Sequence, residues 1–316
     1  MSKISLAIHG GAGTILPSML TPELELSYKQ GLQEALNTGY NILENKGSAL
    51  DAVIAAVASL EDCELFNAGK GSVFTNQGKH EMDASLMNGI DLSGGAVAGV
   101  TNIKNPIQLC RDIMLQSNHV MLAGEGAKEF ALRCGYELQP DAYFFNQYRY
   151  DQWQEIKDSA FYQLDHKEDK LHSKEKDDRK FGTVGAVALD ANGNLAAATS
   201  TGGMTNKRFG RIGDSPVLGI GTYANNKTCA ISCTGHGEFF LRAVVAYDVS
   251  CLMEYKGLSL QDACHVVVKD KLVKMGGEGG LIAVDTLGNY SLCFNSEGMY
   301  RGIRTNSGMN EVAIYE

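Results

Sequence analysis

The apolar positions follow two spacings that change over in blocks. Residues 23–44 set Leu24, Tyr28, Leu32, Ala35 and Ile42 on or near one stripe, the period of a helix, and Gly47 follows as a stop signal. Ser48-Ala49-Leu50-Asp51 reads as a capping box with Asp in the Glu position. It opens a helix to about Leu60, rich in Ala and Val and apolar on most sides. Helical spacing returns over 107–116, 124–134, 239–253 and 260–274, the last with Ser259 as its N-cap, and 140–163 has room for one more helix. Strand patterns cover Leu6-Ala7-Ile8, then 72–75, 81–87, 94–102, 183–190, 194–201, 229–233, 279–285, 290–295 and 311–315. Ala191-Asn192-Gly193-Asn194 carries a hairpin signal, and a similar Asp-x-x-Gly-Asn turn recurs at Asp285. A two-residue Asn192-Gly193 loop sets Thr201 opposite Val184, beside Thr183, with room for a slip of a residue or two. Strands grouped apart from helices imply layers, helices covering sheets.

One segment has neither spacing. Residues 165–180 hold a single large aliphatic side chain among charged ones, too little burial to offset ordering entropy, so a mobile linker is expected there. It leads through Phe181 into Gly182-Thr183-Val184-Gly185-Ala186-Val187-Ala188-Leu189-Asp190. A threonine at such a junction makes sense if the chain is cut before it and its hydroxyl becomes a nucleophile.

Composition narrows the partners. The length of 316 residues can bury one large core or two smaller ones. A net charge of −9 argues against nucleic acid and anionic membranes. No apolar run approaches a membrane span, and the N-terminus reads as a strand rather than a leader. The eight cysteines are scattered and read as reduced core thiols; Cys229 and Cys233 have neither CxxC spacing nor a His pair. His9-Gly10-Gly11-Ala12-Gly13 lacks the pattern of a phosphate loop and reads as a turn where backbone passes close to backbone. The loop from Leu60 to Gly71 could wrap carbonyls around a hard cation. Thr234-Gly235-His236-Gly237-Glu238 joins a strand to a helix, where free N–H groups suit an oxyanion or a carboxylate.

Taken together, the stretch from Gly182 to Asp190, Ser200-Thr201-Gly202-Gly203 and Gly210-Arg211-Ile212-Gly213-Asp214-Ser215-Pro216 resemble the plant-type asparaginases, or isoaspartyl peptidases, which are N-terminal nucleophile hydrolases. His9-Gly10-Gly11-Ala12-Gly13, Phe66-Asn67-Ala68-Gly69, Met82-Asp83-Ala84-Ser85, Gly124-Glu125-Gly126-Ala127 and Thr234-Gly235-His236-Gly237-Glu238 extend the resemblance nearly end to end. It implies an α+β fold, a four-layer αββα sandwich, in one domain over 1–316. It also implies a precursor that cuts itself between Gly182 and Thr183. The products are an α chain, 1–182, with a disordered tail from about 165, and a β chain, 183–316; two αβ units form a dimer.

The resemblance further implies roles. Thr183 is the nucleophile and its freed α-amine the base, with Thr201 hydrogen-bonding near its hydroxyl. Arg211 and Asp214 hold the α-carboxylate and α-ammonium of the substrate, flanking Ile212 and Gly213. Thr234 and Gly235 form the oxyanion hole, and His236 and Gly237 adjoin the substrate. Carbonyls of Leu60, Glu61, Cys63, Phe66, Ala68 and Lys70 bind sodium; Lys70 stands where an apolar residue is usual, and Phe181 precedes the cut. No organic cofactor is implied. Asparagine and isoaspartyl dipeptides are the expected substrates, and the cytoplasm the expected compartment. A glycosylasparaginase and an unprocessed, non-catalytic binding module are the alternatives.

Overall fold

The computed structural model describes residues 2–158 and 182–316; the charged segment, the expected tail before Gly182 and Phe181 lie outside them. β1 (Ser5–Gly13) leads to α1 (Pro22–Glu44) and α2 (Ala49–Asp62), followed by β2 (Met82–Asn88) and β3 (Gly94–Val100). Next come α3 (Pro106–Gln116), β4 (Met121–Ala123), α4 (Gly124–Arg133), α5 (Asp141–Phe144) and α6 (Gln147–Ile156). The second half holds β5 (Val184–Leu189), β6 (Leu195–Thr201), β7 (Thr222–Ala224), β8 (Cys229–Gly235), α7 (Gly237–Ala243), α8 (Val245–Lys256) and α9 (Leu260–His265). A π-helical stretch (Val266–Leu272) and α10 (Val273–Met275) prolong α9, and β9 (Gly279–Asp285), β10 (Tyr290–Phe294), β11 (Gly298–Thr305) and β12 (Asn310–Tyr315) end the chain.

Two sheets carry these strands: eight in the order β12-β11-β1-β5-β6-β2-β3-β4, and four in the order β10-β9-β8-β7. Strand alternation sorts their side chains into two cores. Leu6, Ile8, Val184, Ala186, Ala188, Ala196 and Ala198 pack with α1, α2 and α3. Ala7, Val187, Leu189, Leu195 and Ala197 face the four-stranded sheet, whose far side α8 and α9 cover. The layers are thus helix, sheet, sheet, helix, as expected. Two-sided burial also explains why β5 reads as an unbroken apolar run.

Local signals hold where side chains cap backbone. Ser48 Oγ accepts the Asp51 N–H at 3.1 Å, and Ser259 Oγ accepts that of Asp262 at 3.1 Å. Elsewhere tertiary context prevails. Residues 72–75 form no strand, because Thr75 N–H bonds to Lys79 and Phe74 O accepts from Asn206. The helix expected over 239–253 is two helices, broken at Val244, whose φ is +54°. The stretch after 140 holds two short helices rather than one. His9-Gly10-Gly11-Ala12-Gly13 is a bulged part of β1 instead of a turn, with the register shift between His9 and Gly11. The close approach is real: a Cβ on Gly10 would lie 2.5 Å from the Phe66 ring. All eight cysteines are free, but Cys63, Cys134, Cys251 and Cys293 are only half-buried, so half of them are not core thiols. Among the described residues no helix is long and apolar enough to cross a membrane.

Candidate active site

Thr183 and Thr201 meet at the open end of the β5–β6 hairpin, on the face toward the second sheet. Val184 pairs with Ser200 and Leu189 with Leu195, so one further step sets Thr183 against Thr201, a residue off the expected register. The cause is the turn. Asp190 Oδ1 accepts the N–H groups of Asn192 (2.9 Å) and Asn194 (3.0 Å), and Gly193 takes a φ of +82°. That closes a three-residue loop where two residues were counted.

The peptide carbonyl of Gly182 lies within a set of donors. Asn67 Nδ2 donates to it at 2.8 Å and Thr201 Oγ1 at 2.9 Å. Thr183 Oγ1 donates to Thr201 Oγ1 at 3.2 Å, as does the Gly203 N–H at 3.0 Å. Asn67 is itself fixed: its Nδ2 also reaches Gly203 O at 2.7 Å, and its Oδ1 accepts Val73 N–H at 3.0 Å. A Cβ on Gly182 would lie 2.3 Å from the Asn67 Cβ, so glycine is needed there. Sequence reasoning missed this role for Asn67. It was quoted in the Phe66-Asn67-Ala68-Gly69 motif without a role, in a loop already assigned to a cation.

His9 approaches from beneath, with Nδ1 2.9 Å from Thr183 O and Nε2 2.9 Å from Ser232 Oγ. Burial pushes its imidazole down to about 3, so it is neutral. The Thr183 carbonyl can only accept, so Nδ1 carries the proton and Nε2 accepts from Ser232 at the end of a row of buried hydroxyls. Thr222 donates to Thr199, and Thr199 Oγ1 then chooses between Ser232 Oγ at 2.7 Å and Gly221 O at 3.2 Å. The first choice gives Ser232 Oγ an incoming hydrogen bond while its own hydrogen goes to Nε2.

Across the recess the wall is charged. Asp214 is buried, and burial pushes its carboxyl up to about 7. Its Oδ2 has no hydrogen-bond partner among the described residues. Arg211 donates from Nε and Nη2 to the Glu238 carboxylate at 2.7 and 2.8 Å, which leaves Nη1 for any other anion. Glu238 was quoted in a motif without a role, since 27 residues separate it from Arg211. A Cβ on Gly237 would lie 2.9 Å from Asp214 Oδ1 and 2.8 Å from Arg211 Nη2, so only glycine lets the helix start approach this pair.

Gly182, Thr183, Thr201, Arg211, Gly213, Asp214 and Gly235 line one recess together. Ile212, Thr234, His236 and Gly237 do not line it. Ile212 points to solvent, Thr234 Oγ1 accepts the Ala12 N–H at 3.3 Å, and His236 lies against Phe239. With Gly182 in place the recess measures about 20 Å³, room for about one water and no more.

The Leu60–Lys70 stretch is a tight, carbonyl-rich coil. Cys63 N–H bonds to Leu60 O, Phe66 N–H to Cys63 O, Ala68 N–H to Phe66 O and Gly71 N–H to Ala68 O. A Cβ on Gly69 would meet Glu61 O at 2.4 Å, and one on Gly71 would meet Phe66 O at 2.1 Å. Backbone carbonyls are the neutral oxygen donors that a hard cation accepts. The Phe66 ring meets the stacked rings of Tyr28 and Tyr300 edge-on and ties the coil to α1 and β11. The Glu61 carboxyl, which burial pushes up to about 8, accepts Ser200 Oγ–H at 2.6 Å on the helix side of β6. Asn67 sits at the coil's tip and Ser200 beside Thr201, so the coil braces the site twice.

The family profile described as Asparaginase matches residues 2–314. The isoaspartyl peptidase of Escherichia coli is 52% identical over 301 residues, 95% of this chain and 92% of that protein. The isoaspartyl peptidase of Salmonella typhimurium is 52% identical over 302 residues, 95% of each. A protein of Arabidopsis thaliana named probable isoaspartyl peptidase/L-asparaginase 2 is 41% identical, with 100% of both chains covered. With the layered fold, these likenesses make the chain a member of the asparaginase family, enzymes of the N-terminal nucleophile hydrolase class.

Proposed function

We propose that this protein is an isoaspartyl peptidase with L-asparaginase activity, made as a single-domain precursor that cuts itself between Gly182 and Thr183. The observation that carries the reading is the Gly182 carbonyl, held by Asn67 Nδ2 and Thr201 Oγ1 while Thr183 Oγ1 bonds to Thr201. In the first event Thr183 Oγ gives up its proton and attacks the Gly182 carbon. The oxyanion stays on the two donors. The C–N bond breaks, the nitrogen takes a proton, and water cleaves the resulting ester. The products are a Gly182 carboxylate and a free α-amine on Thr183.

That amine is the base of the mature enzyme. An α-amine has an ordinary pKa of about 8, and burial disfavours its charged form, so it can take the Thr183 hydroxyl proton near neutral pH. Departure of Gly182 opens the recess. The α-ammonium of the substrate pairs with Asp214, and its α-carboxylate bonds to Nη1 of an Arg211 oriented by Glu238. Its β-amide carbonyl then lies at Thr183. Attack gives a β-aspartyl ester and expels the amine, and water completes the cycle. Thr234 and Gly235 supply the oxyanion donors by backbone N–H. Gly235 lines the recess, and Ile212, His236 and Gly237 shape its surroundings.

Carbonyls of Leu60, Glu61, Cys63, Phe66, Ala68 and Lys70 hold a sodium ion that stiffens the coil behind Asn67. Two αβ units form a dimer, and the free thiols suit a reducing cytoplasm. Mass spectrometry of the purified protein tests the core of this. A β chain starting at Thr183, with ammonia released from asparagine, is expected. A persistent 34.0 kDa chain without turnover would favour the binding module. Activity confined to a glycosylated asparagine would favour the glycosylasparaginase.

A further inference from the structure

A second recess, about 220 Å³, adjoins the first and is lined by Thr75, Asn76, Glu81, Lys207, Phe209 and their neighbours. The two share a wall. Gly203 lines the first, and a Cβ there would lie 3.0 Å from Lys207 Nζ, which lines the second. Residues 207–210 run directly into Arg211 of the charged wall. Gly203 is also the residue whose N–H bonds to Thr201 Oγ1 and whose carbonyl holds Asn67, so the shared wall is on the Thr201 side of Thr183.

Two features of this recess are costly to the free protein. Phe209 is 98% exposed and also adopts a φ of +58°. A bulky side chain in that region is strained, and its ring gains no burial in return. Lys207, by contrast, is only 4% exposed. Its ammonium donates to Glu81 O at 2.8 Å and lies 4.0 Å from the Glu81 carboxylate, so the floor is nearly balanced in charge. The recess therefore has a fixed polar floor, an aromatic lip and a cationic rim at Arg208.

We propose that this recess is the leaving-group subsite, which receives the amino acid expelled when an isoaspartyl bond is cut and favours one with an apolar side chain. The inference rests on the activity proposed above. Asparagine, whose leaving group is ammonia, has nothing to place there. A β-aspartyl dipeptide brings a side chain, which covers Phe209, and a carboxylate, whose charge suits Arg208.

The test uses the processed enzyme, its N-terminus verified at Thr183, and compares kcat/KM for β-aspartyl-leucine, β-aspartyl-glycine and asparagine. Phe209→Gly is the variant, since glycine adopts the same φ freely and the exposed ring supports no core. Wild type should prefer the leucine dipeptide over the glycine one. The variant should lose about tenfold on β-aspartyl-leucine and stay within about twofold on the other two. An equal change on all three substrates, or none on any, would overturn the subsite and leave the activity standing. A processed wild type inactive on all three would overturn the activity and the subsite with it.

Discussion

The recess has two unlike walls. The Thr183 wall is built from strands and the tip of the coil and is neutral: hydroxyls, a carboxamide and an uncharged imidazole, all buried and all hydrogen-bonded. The Asp214 wall is built from a loop and a seven-residue helix and is ionic: Arg211, Glu238 and a carboxyl with an unpartnered oxygen. The contrast follows from what each wall must do. Attack on a carbonyl needs geometry held before the charge appears, and strand-borne dipoles supply it without reorganising. A zwitterion arrives already charged, and needs opposite charges that are incompletely satisfied until it comes. The neutral wall should therefore govern rate and self-cleavage, and the charged wall affinity.

Substitutions at four positions can break that division. Thr183→Ala has the largest expected effect. Self-cleavage stops on a denaturing gel, and asparagine turnover falls by about 10⁴-fold or more; residual turnover near wild type would remove Thr183 from the mechanism. Asn67→Ala takes away one of the two donors to Gly182 O, so the precursor should be cut about 100-fold more slowly. Unchanged processing would mean that Thr201 alone suffices.

The charged wall gives a pH signature. The folded pKa of Asp214, about 7, stands above the ordinary 3.8. Its contribution to stability is therefore full below the ordinary value and is lost as pH rises through about 7. Substrate affinity has the opposite trend, because the ammonium needs the carboxylate. The KM for asparagine should rise as pH falls below about 7, approaching tenfold per pH unit. Asp214→Asn should give a uniformly high KM without that limb, and a limb that survives would assign it elsewhere.

The smallest effect is expected from Thr199, which touches no substrate. Thr199→Val keeps the shape but breaks the hydroxyl row, and Thr199→Ser keeps the hydroxyl. The first should lower kcat by about tenfold with KM unchanged, and the second should restore it. Nitrogen NMR should find the His9 proton on Nδ1 in wild type and in both variants, because the Thr183 carbonyl accepts it in each. A proton on Nε2 in any of them would overturn the hydrogen bond from His9 to Thr183 O.

Much of the sandwich was legible because helices and strands differ in period and because Ser48 and Ser259 cap as their neighbours dictate. The charged wall was legible in part, since Arg211 and Asp214 lie close in sequence. What stayed hidden depends on contacts between distant segments. The Arg211–Glu238 pair, the reach of Asn67 to Gly182 and the row from Thr222 to His9 each join separate elements. The helix break at Val244 has no glycine or proline to announce it. The strand expected at 72–75 failed because its amides and carbonyls found partners in loops.

The turn at Asp190 acts as a parity switch. Side chains alternate along a strand, so each residue added to or removed from one arm of a hairpin exchanges its inward and outward sets. With residues 191–193 in the loop, Thr201 shares a face with Thr183, and Ser200 faces the helices. A turn that slipped the pairing by one would put Ser200, the residue that donates to Glu61, opposite Thr183. A two-residue insertion in one strand would preserve the faces, while a single one would invert them. The side chain that guards this count, Asp190, lies a whole strand away, about 20 Å from the hydroxyl it positions.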